Sequence, residues 1–275
     1  MSLKDILHPF AVKAKSFSDK IKHSEYIKSD YCADMSRFKN TAKNKRCFII
    51  GNGPSLTLSD LEMLKNEDCF ACNRIYGLYE NTDWRPKYYC AQDAKLIEQI
   101  KDDLPFAVEN SSEAFLSYGF RKCYNDEVMN SPKTHLFYRP YVSVYSKDGN
   151  YPEGLIPFSD DAAFAVYDGL SITYGMIQIA VYMGYKEIYL LGIDHNFTVK
   201  NGVVDASKSY AQGIKPIDMK TQFPPALKLC EVSFREAKKY CEEHEIRIMN
   251  ATRGGKLEVF DRVSLDDLVQ GECNS

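Results

Sequence analysis

Residues 47–56, CFIIGNGPSL, carry a short apolar run directly into a turn that contains two glycines. The segment that follows, LSDLEMLK at residues 58–65, has the apolar spacing of a helix, with Thr57 or Ser59 placed to cap its first turn. A buried strand that enters a glycine turn and then a helix is typical of the first unit of an α/β fold. The stretch therefore predicts an α/β protein.

The rest of the chain continues this alternation of short apolar runs and longer amphipathic segments. The predicted strands are residues 69–73, 87–93, 105–109, 121–124, 134–138, 187–194 and 246–250, and the predicted helices are residues 94–102, 111–117, 171–183 and 224–243. Such alternation favours a mostly parallel sheet flanked by helices, in a Rossmann-like arrangement. We assign this domain to residues 45–275.

Residues 1–44 form a lysine-rich part of the sequence, for which we predict an N-terminal helical extension. Apolar residues recur there at intervals of three and four, which indicates an amphipathic helix interrupted by Pro9. The apolar face is expected to cover the domain's own core or a second subunit, or else to lie on an anionic membrane surface. The basic residues that would contact such a membrane are Lys13, Lys15, Lys20 and Lys22.

Composition and charge exclude several classes of protein. The net charge is only −3 over 275 residues, without the basic field that nucleic acid selects, so no nucleic-acid partner is expected. No apolar run approaches the length of a membrane span. The nine cysteines are odd in number and scattered, as in a cytosolic protein with reduced thiols. We expect a cytoplasmic location, with contact at the inner face of the membrane if residues 1–44 provide it.

The turn after the first strand is a candidate phosphate site. Glycines let the backbone approach a phosphate closely, and free amides at a helix start favour negative charge. The turn lacks the lysine ending of a P-loop and the third glycine of a dinucleotide fingerprint, so a plain tight turn is the alternative. The candidate residues are Gly51, Asn52, Gly53, Pro54 and Ser55.

Polar residues also follow the other well-formed strands. In an open α/β sheet, the carboxyl ends of the strands share one edge, and ligands bind in the crevice there. The simpler explanation is that strand ends are where a chain reaches the surface and becomes polar. The residues concerned are Asn73, Arg74, Gln92, Asp93, Asp194, His195, Asn250 and Arg253.

Asp194 and His195 are the candidate catalytic pair. Histidine exchanges a proton near neutral pH, and a neighbouring carboxylate can orient it or hold a metal. Arg253, in the turn RGG after the last strand, suits a phosphate or a carboxylate, unless the turn is only a surface turn. Ser171 is predicted to cap a helix, and Tyr174 in the first turn of that helix either reaches a ligand or packs in the core.

Four motifs in combination carry a resemblance to known families. GNGPSL, CNR, SITYG and GYKEIYLLGID resemble two related groups: the bacterial sialyltransferases of the glycosyltransferase-42 family and the DUF115 or MAF-like group. The second group contains flagellin-modification glycosyltransferases and the archaeal 6-hydroxymethylpterin diphosphokinase. The closing NATRGGKLEVF is more similar to DUF115 than to the sialyltransferases. The resemblance spans about residues 46–263.

The likeness to the sialyltransferases implies a CMP-activated nonulosonic acid as the donor, a surface glycan or glycoprotein as the acceptor, and no required metal. No histidine occurs between residues 196 and 243, where that family has its general base, so His195 would take this role. Tyr174 departs from the motif, which has a serine there. By motif, the residues of the donor pocket are Asn52, Gly53, Ser55, Asn73, Thr173 and Gly175.

The likeness to the diphosphokinase implies a different reaction in the same crevice. The glycine turn would bind ATP, and Asp93 and Asp194 would hold Mg²⁺ for attack by a hydroxymethyl group. A third possibility is a nucleotide-binding module without enzymatic activity, whose N-terminal helix recruits partners. Of the three, we expect the glycosyltransferase that uses a nucleotide-activated sugar.

Overall fold

The computed structural model describes residues 3–144, 151–200, 203–205, 208–215 and 227–270. The strands are β1 (Arg46–Ile50), β2 (Cys69–Cys72), β3 (Tyr88–Ala91), β4 (Glu113–Ser117), β5 (Thr134–Phe137), β6 (Glu187–Leu191), β7 (Val199–Lys200), β8 (Val203–Val204) and β9 (Arg247–Asn250). The helices are α1 (Leu3–Ile27), α2 (Asp30–Ser36), α3 (Leu58–Met63), α4 (Ala94–Ile100), α5 (Leu104–Glu109), α6 (Asp126–Asn130), α7 (Ile172–Met183), α8 (Leu227–Glu243) and α9 (Leu265–Gln270). Short 3₁₀ helices occupy Ile75–Leu78 and Tyr118–Cys123.

The main sheet has seven strands in the order β5-β4-β3-β2-β1-β6-β9. All of its neighbouring pairs are parallel, as the sequence predicts. The chain builds outward from β1 to β5 and then returns to β6 on the other side of β1. The order of strands therefore reverses between β1 and β6, and such a switch point leaves a crevice at the carboxyl ends of the two strands.

The core consists of two apolar layers, one on each face of the sheet. Successive residues of β1 alternate between them: Phe48 and Ile50 pack in one layer, and Cys47 and Ile49 pack in the other. This alternation follows from the two-residue period of a strand. The second layer also receives α7, which is buried along most of its length and ends at Gly184 in the left-handed conformation, as predicted. Both faces of the central strands are thus covered, as parallel sheets require.

Three predicted elements are wrong. Residues 105–109 form α5 instead of a strand, residues 113–117 form β4 instead of part of a helix, and residues 121–124 lie in and after a 3₁₀ helix instead of a strand. An apolar run of four to six residues fits either a buried strand or one side of a short helix, so periodicity does not separate them. In α5, Pro105 occupies the first turn, where its missing amide hydrogen is not needed.

The N-terminal segment forms α1 and α2, and α1 continues through Pro9 instead of being interrupted there. Tyr26, Met35 and Ala42 are buried within the two core layers. The boundary between residues 44 and 45 stays a prediction. None of the helices in the described ranges is long and apolar enough to cross a membrane.

We predict that Thr57→Ala lowers the free energy of unfolding by about 1 kcal/mol, because it removes a helix cap. The Thr57 hydroxyl accepts a hydrogen bond from the Asp60 amide at 3.1 Å, and the Asp60 carboxylate accepts one from the Thr57 amide at 3.1 Å. Urea unfolding measures the loss. Thr57→Ser is the control, since it keeps the hydroxyl; equal losses in the two variants would contradict the capping role.

Candidate active site

A cavity of about 580 Å³ lies at the carboxyl edge of the sheet, beside the switch point between β1 and β6. Its walls come from the turns that follow β1, β2, β3 and β6, from the amino end of α7 and from one side of α8. The structure thus brings together residues that are far apart in the sequence. Those predicted from the sequence that line the cavity are Gly51, Asn52, Gly53, Asn73, Arg74, Asp93, Ser171, Thr173, Asp194 and His195.

The glycine turn is held directly against the turn that follows β6. The amide of Gly51 donates to the Leu191 carbonyl at 2.8 Å, and the amide of Gly53 donates to the Gly192 carbonyl at 2.8 Å. A Cβ atom on Gly51 would overlap the Gly192 carbonyl oxygen. The glycines therefore allow two backbones to meet, and their own amides are not available to a phosphate, which revises the simplest form of the cradle hypothesis.

Asp194 lies against the same turn. Its carboxylate accepts a hydrogen bond from the Ser55 hydroxyl at 2.7 Å, and a Cβ atom on Gly53 would overlap Asp194 Oδ2. Burial raises the pKa of the Asp194 carboxyl above its ordinary value, and the hydrogen bonds from Ser55 partly offset this rise. Ser55 therefore positions Asp194 and does not itself line the cavity.

His195 is held in place from two directions. Its backbone has a φ of 50°, a left-handed conformation that is costly for a residue with a side chain and is often found at functional sites. Its Nε2 lies 3.2 Å from Glu231 Oε1 on α8. The imidazole is 6% exposed and Glu231 is 39% exposed, so the pair sits where the cavity wall meets solvent. This arrangement is that of a histidine oriented by a carboxylate.

The turn after β2 places further polar groups on the cavity wall. Asn73 has a φ of 57°, and its carbonyl accepts from the Tyr89 hydroxyl at 2.7 Å. The Arg74 guanidinium donates to the Lys215 carbonyl at 3.3 Å and to Gln99 Oε1 at 3.4 Å. Asn52 donates through Nδ2 to the carbonyl of Cys72, the last residue of β2, at 3.1 Å, and its Oδ1 is buried without a hydrogen-bond partner among the described residues. A ligand group that donates a hydrogen bond would satisfy this oxygen.

The amino end of α7 opens into the cavity and supplies a positive dipole end. Ser171 caps it by accepting from the Thr173 amide at 3.3 Å. The preceding Leu170 has a φ of 59°, and its amide donates to Asp168 at 2.9 Å. Asp168 is in turn paired with Arg139. The first turn of a twelve-residue helix thus faces the cavity from a fixed position, which suits an anionic group.

Several predicted residues lie outside the cavity wall. Arg253 forms ion pairs with Asp266 at 2.9 Å and with the buried Asp60 at 2.9 Å. Asn250 is buried and organises its own turn by donating to the Leu257 carbonyl at 2.8 Å and accepting from the Thr252 amide at 3.0 Å. Both residues therefore stabilise the turn after β9. This is a structural role, which the sequence left open as the alternative to ligand binding.

The remaining predicted residues pack behind the wall. The Tyr174 hydroxyl donates to the Pro157 carbonyl at 3.0 Å, on the side of α7 that faces the core. Gln92 is buried and donates to Asp168 at 3.2 Å, and Gly175 makes room for it, because a Cβ atom there would lie 2.8 Å from Gln92 Oε1. Pro54 does not line the cavity either.

The sequence did not reveal part of the site. Lys95 lines the cavity from the first turn of α4. It comes two residues after Asp93, whose carboxylate caps that helix by accepting from the Leu96 amide at 2.9 Å. Glu231 gave no local signal, since its role depends on α8 reaching His195 in the turn after β6. An apolar wall also completes the cavity, and its members are Leu170, Ile172, Phe197, Tyr210, Leu227, Cys230 and Phe234.

Within the described ranges, no three His, Cys, Asp or Glu side chains are grouped so that they could hold a metal ion. Asp93 and Asp194 are nevertheless both on the cavity wall. These two carboxylates are compatible with Mg²⁺ that is bound mainly by nucleotide phosphates and water, which is how nucleotide-using enzymes usually hold it. They do not form a dedicated site by themselves.

Comparison with protein families matches residues 21–200 to the family described as 6-hydroxymethylpterin diphosphokinase MptE-like. The chain belongs to this MptE-like family. The match includes the glycine turn and His195 but not Asn250, Arg253 or Glu231. Membership of the MptE-like family supports a transferase-like role. The search of curated proteins returned no match.

Among solved structures, the chain is similar to one titled as the structure of the MAf glycosyltransferase from Magnetospirillum magneticum AMB-1. The two sequences are 14% identical, the TM-score is 0.49, and the alignment covers 88% of this chain and 40% of that chain. This MptE-like chain therefore spans less than half of the length of that glycosyltransferase.

We predict that Gly53→Ala destabilises the protein by about 1 to 3 kcal/mol, because the added methyl group displaces Asp194. The midpoint of urea unfolding measures this change. Gly119→Ala is the matched control, since the nearest atom to its Cβ is Ser117 Oγ at 3.7 Å. A Gly53 variant as stable as the Gly119 variant would contradict the close approach of the two turns.

We also predict a pH-dependent effect of Asp194→Asn on stability. Because folding raises the pKa of this acid, its contribution to stability is fully present below the ordinary aspartate pKa and is lost as the pH rises through the raised value. Relative to the native protein, the Asn variant should therefore become more stable as the pH rises. Unfolding free energies measured between about pH 3 and pH 7 test this, and parallel pH profiles would contradict it.

Proposed function

We propose that the protein is a glycosyltransferase that binds a nucleotide-activated sugar in the cavity and transfers the sugar to a hydroxyl group of a glycan acceptor. The observation that carries the proposal is the pairing of His195 with Glu231 on the wall of a cavity whose other walls suit an anion. The motifs shared with the sialyltransferases favour a donor of the CMP-nonulosonic acid type. We expect the reaction to take place in the cytoplasm.

The donor phosphate fits the side of the cavity formed by α7, Arg74 and Lys95. The amino end of α7 offers the positive end of its dipole, and the two side chains each offer a full positive charge. Together they take the role expected of the Gly51 and Gly53 amides, which are hydrogen-bonded to β6 and the turn after it. When the bond between the anomeric carbon and the phosphate oxygen breaks, the phosphate keeps the electron pair. Cations already placed at this position stabilise the departing nucleotide without reorganisation.

The acceptor hydroxyl fits the side of the cavity formed by His195. Glu231 accepts a hydrogen bond from Nε2 of the imidazole, which leaves Nδ1 to take the proton of the hydroxyl as its oxygen attacks the anomeric carbon. Glu231 then stabilises the positive charge on the imidazole. Asp194 is the alternative base, and its raised pKa reflects the same partly buried wall.

A Mg²⁺-dependent diphosphokinase that uses ATP is the second candidate, favoured by the description of the matched family and by the carboxylates of Asp93 and Asp194 on the cavity wall. In this reaction Mg²⁺ would neutralise phosphate charge. Arg74 and Lys95 would bind the same phosphates, and His195 would take the proton from the attacking hydroxymethyl group.

Thermal shifts with a panel of nucleotides separate the candidates. The panel contains CMP, CDP, UDP, GDP, ADP and ATP, each with and without Mg²⁺, because a ligand that binds the folded state raises its melting temperature. We expect a shift with CMP or CDP that does not require metal. A shift only with ATP and Mg²⁺ would replace the proposal by the diphosphokinase, and no shift with any nucleotide would contradict both and favour a module without enzymatic activity.

We predict that His195→Gln lowers turnover about 100-fold or more while the affinity for the donor nucleotide stays unchanged. Glu231→Gln should have a smaller effect of the same kind, because it only orients the imidazole. Lys95→Ala should instead weaken nucleotide binding. Turnover is measured as release of nucleotide from the donor, and affinity by calorimetry.

The control for the histidine is His244→Gln, since His244 is exposed just after α8 and lies outside the cavity. Normal turnover in the His195 variant would remove this residue from the reaction. A loss of nucleotide affinity equal to the loss of turnover would assign it to binding.

A further inference from the structure

Helix α1 turns a polar side toward the protein. The Tyr138 hydroxyl donates to the Asp19 carboxylate at 2.7 Å, and the Tyr141 amide donates to the same carboxylate at 3.0 Å. His23 Nε2 lies 2.9 Å from the Phe164 carbonyl, and its ring stacks on Tyr138 with centroids 4.6 Å apart. These contacts, spaced four residues apart on α1, fix the rotation of the helix about its axis.

The apolar stripe of α1 consequently faces solvent. Phe17 is 68% exposed and Ile21 is 48% exposed, and Ala14 completes the same stripe at the next turn. In the sequence, the spacing of three and four continues toward the amino terminus with Leu3, Ile6, Leu7 and Phe10. Ala14, Phe17 and Ile21 therefore do not cover the core of their own chain, which was one of the expected arrangements.

Exposed lysines border this stripe on both sides. On a helix of 3.6 residues per turn, Lys13 and Lys20 lie on one side of Phe17 and Ile21, and Lys22 lies on the other. The Lys15 ammonium instead lies 4.2 Å from the centroid of the Tyr141 ring, on the side of α1 that faces the protein. Between residues 12 and 27, Glu25 is the one exposed acid, because Asp19 faces the protein. The described part of α1 thus presents an apolar line within a basic surface.

We propose that α1 lies on the surface of a membrane that contains anionic lipids. Phe17 and Ile21 enter the boundary between headgroups and acyl chains, and the flanking lysines contact the lipid phosphates while their stems lie along the apolar surface. A negatively charged plane satisfies lysines on both sides of the stripe at once. A second copy of this chain that docked through its own α1 would instead bring the same lysines against each other, and like charges repel.

This placement holds the cavity next to a lipid surface, independently of the reaction that takes place in it. The contact between α1 and the membrane combines electrostatic attraction with the burial of apolar side chains. Neither contribution alone is sufficient for stable binding. It should weaken with salt, because salt screens the attraction between lysines and phosphates.

Flotation of the full chain with lipid vesicles tests the proposal. The vesicles are phosphatidylcholine alone or phosphatidylcholine mixed with phosphatidylglycerol. We expect binding to the mixed vesicles only, and at least about tenfold weaker binding for Phe17→Ser/Ile21→Ser and for Lys13→Glu/Lys20→Glu. The controls are Phe106→Ser and Lys101→Glu, which change an exposed phenylalanine and an exposed lysine outside α1 and should bind as the native chain does.

Three results would overturn the proposal: no binding of the native chain to the anionic vesicles, equal binding to both kinds of vesicle, or binding that the α1 variants leave unchanged. Sedimentation velocity adds a fourth. If the native chain is a dimer that becomes a monomer in Phe17→Ser/Ile21→Ser and does not bind vesicles, the stripe is a contact between two copies. Melting temperatures equal to that of the native chain confirm that the variants are folded.

Discussion

The turns after β1 and β6 can meet only because residues 51 and 53 have no side chain. A Cβ atom at either position would overlap the partner turn, at the Gly192 carbonyl in one case and at the Asp194 carboxylate in the other. Two backbone hydrogen bonds of 2.8 Å hold the glycine turn against the end of β6 and the turn after it. This contact brings the glycine turn and Asp194 to one point at the switch of the sheet, and the shape of the cavity depends on that point.

This contact also decides which groups remain for a ligand. Since the amides of Gly51 and Gly53 are hydrogen-bonded to β6 and the turn after it, the mechanism we propose takes positive charge from α7, Arg74 and Lys95, and it takes a base from His195 with its partner Glu231 on α8. The family match ends at residue 200, so the phosphate side lies inside the shared part of the chain and α8 lies outside it. We expect selection of the acceptor to depend on α8.

The sequence predicted the features that local chemistry determines. Thr57 and Ser171 cap the starts of helices and Gly184 ends one, as expected, because a helix cap depends only on residues of the adjacent turn. The sequence was insufficient where an answer depends on distant partners: Arg253 forms ion pairs with Asp60 and Asp266, and Glu231 becomes relevant only once α8 brings it to His195. The outward rotation of α1 also depends on distant partners, since contacts with the segment that follows β5 set it.

The most direct measurement is a crystal structure of the protein with the nucleotide that stabilises it most. We expect the phosphate of the bound nucleotide to lie within hydrogen-bond distance of Arg74 or Lys95 and in front of the first turn of α7. His195 should lie on the opposite side of the reacting bond. A phosphate bound to the amides of Gly51 and Gly53, or a nucleotide outside this cavity, would contradict this expectation.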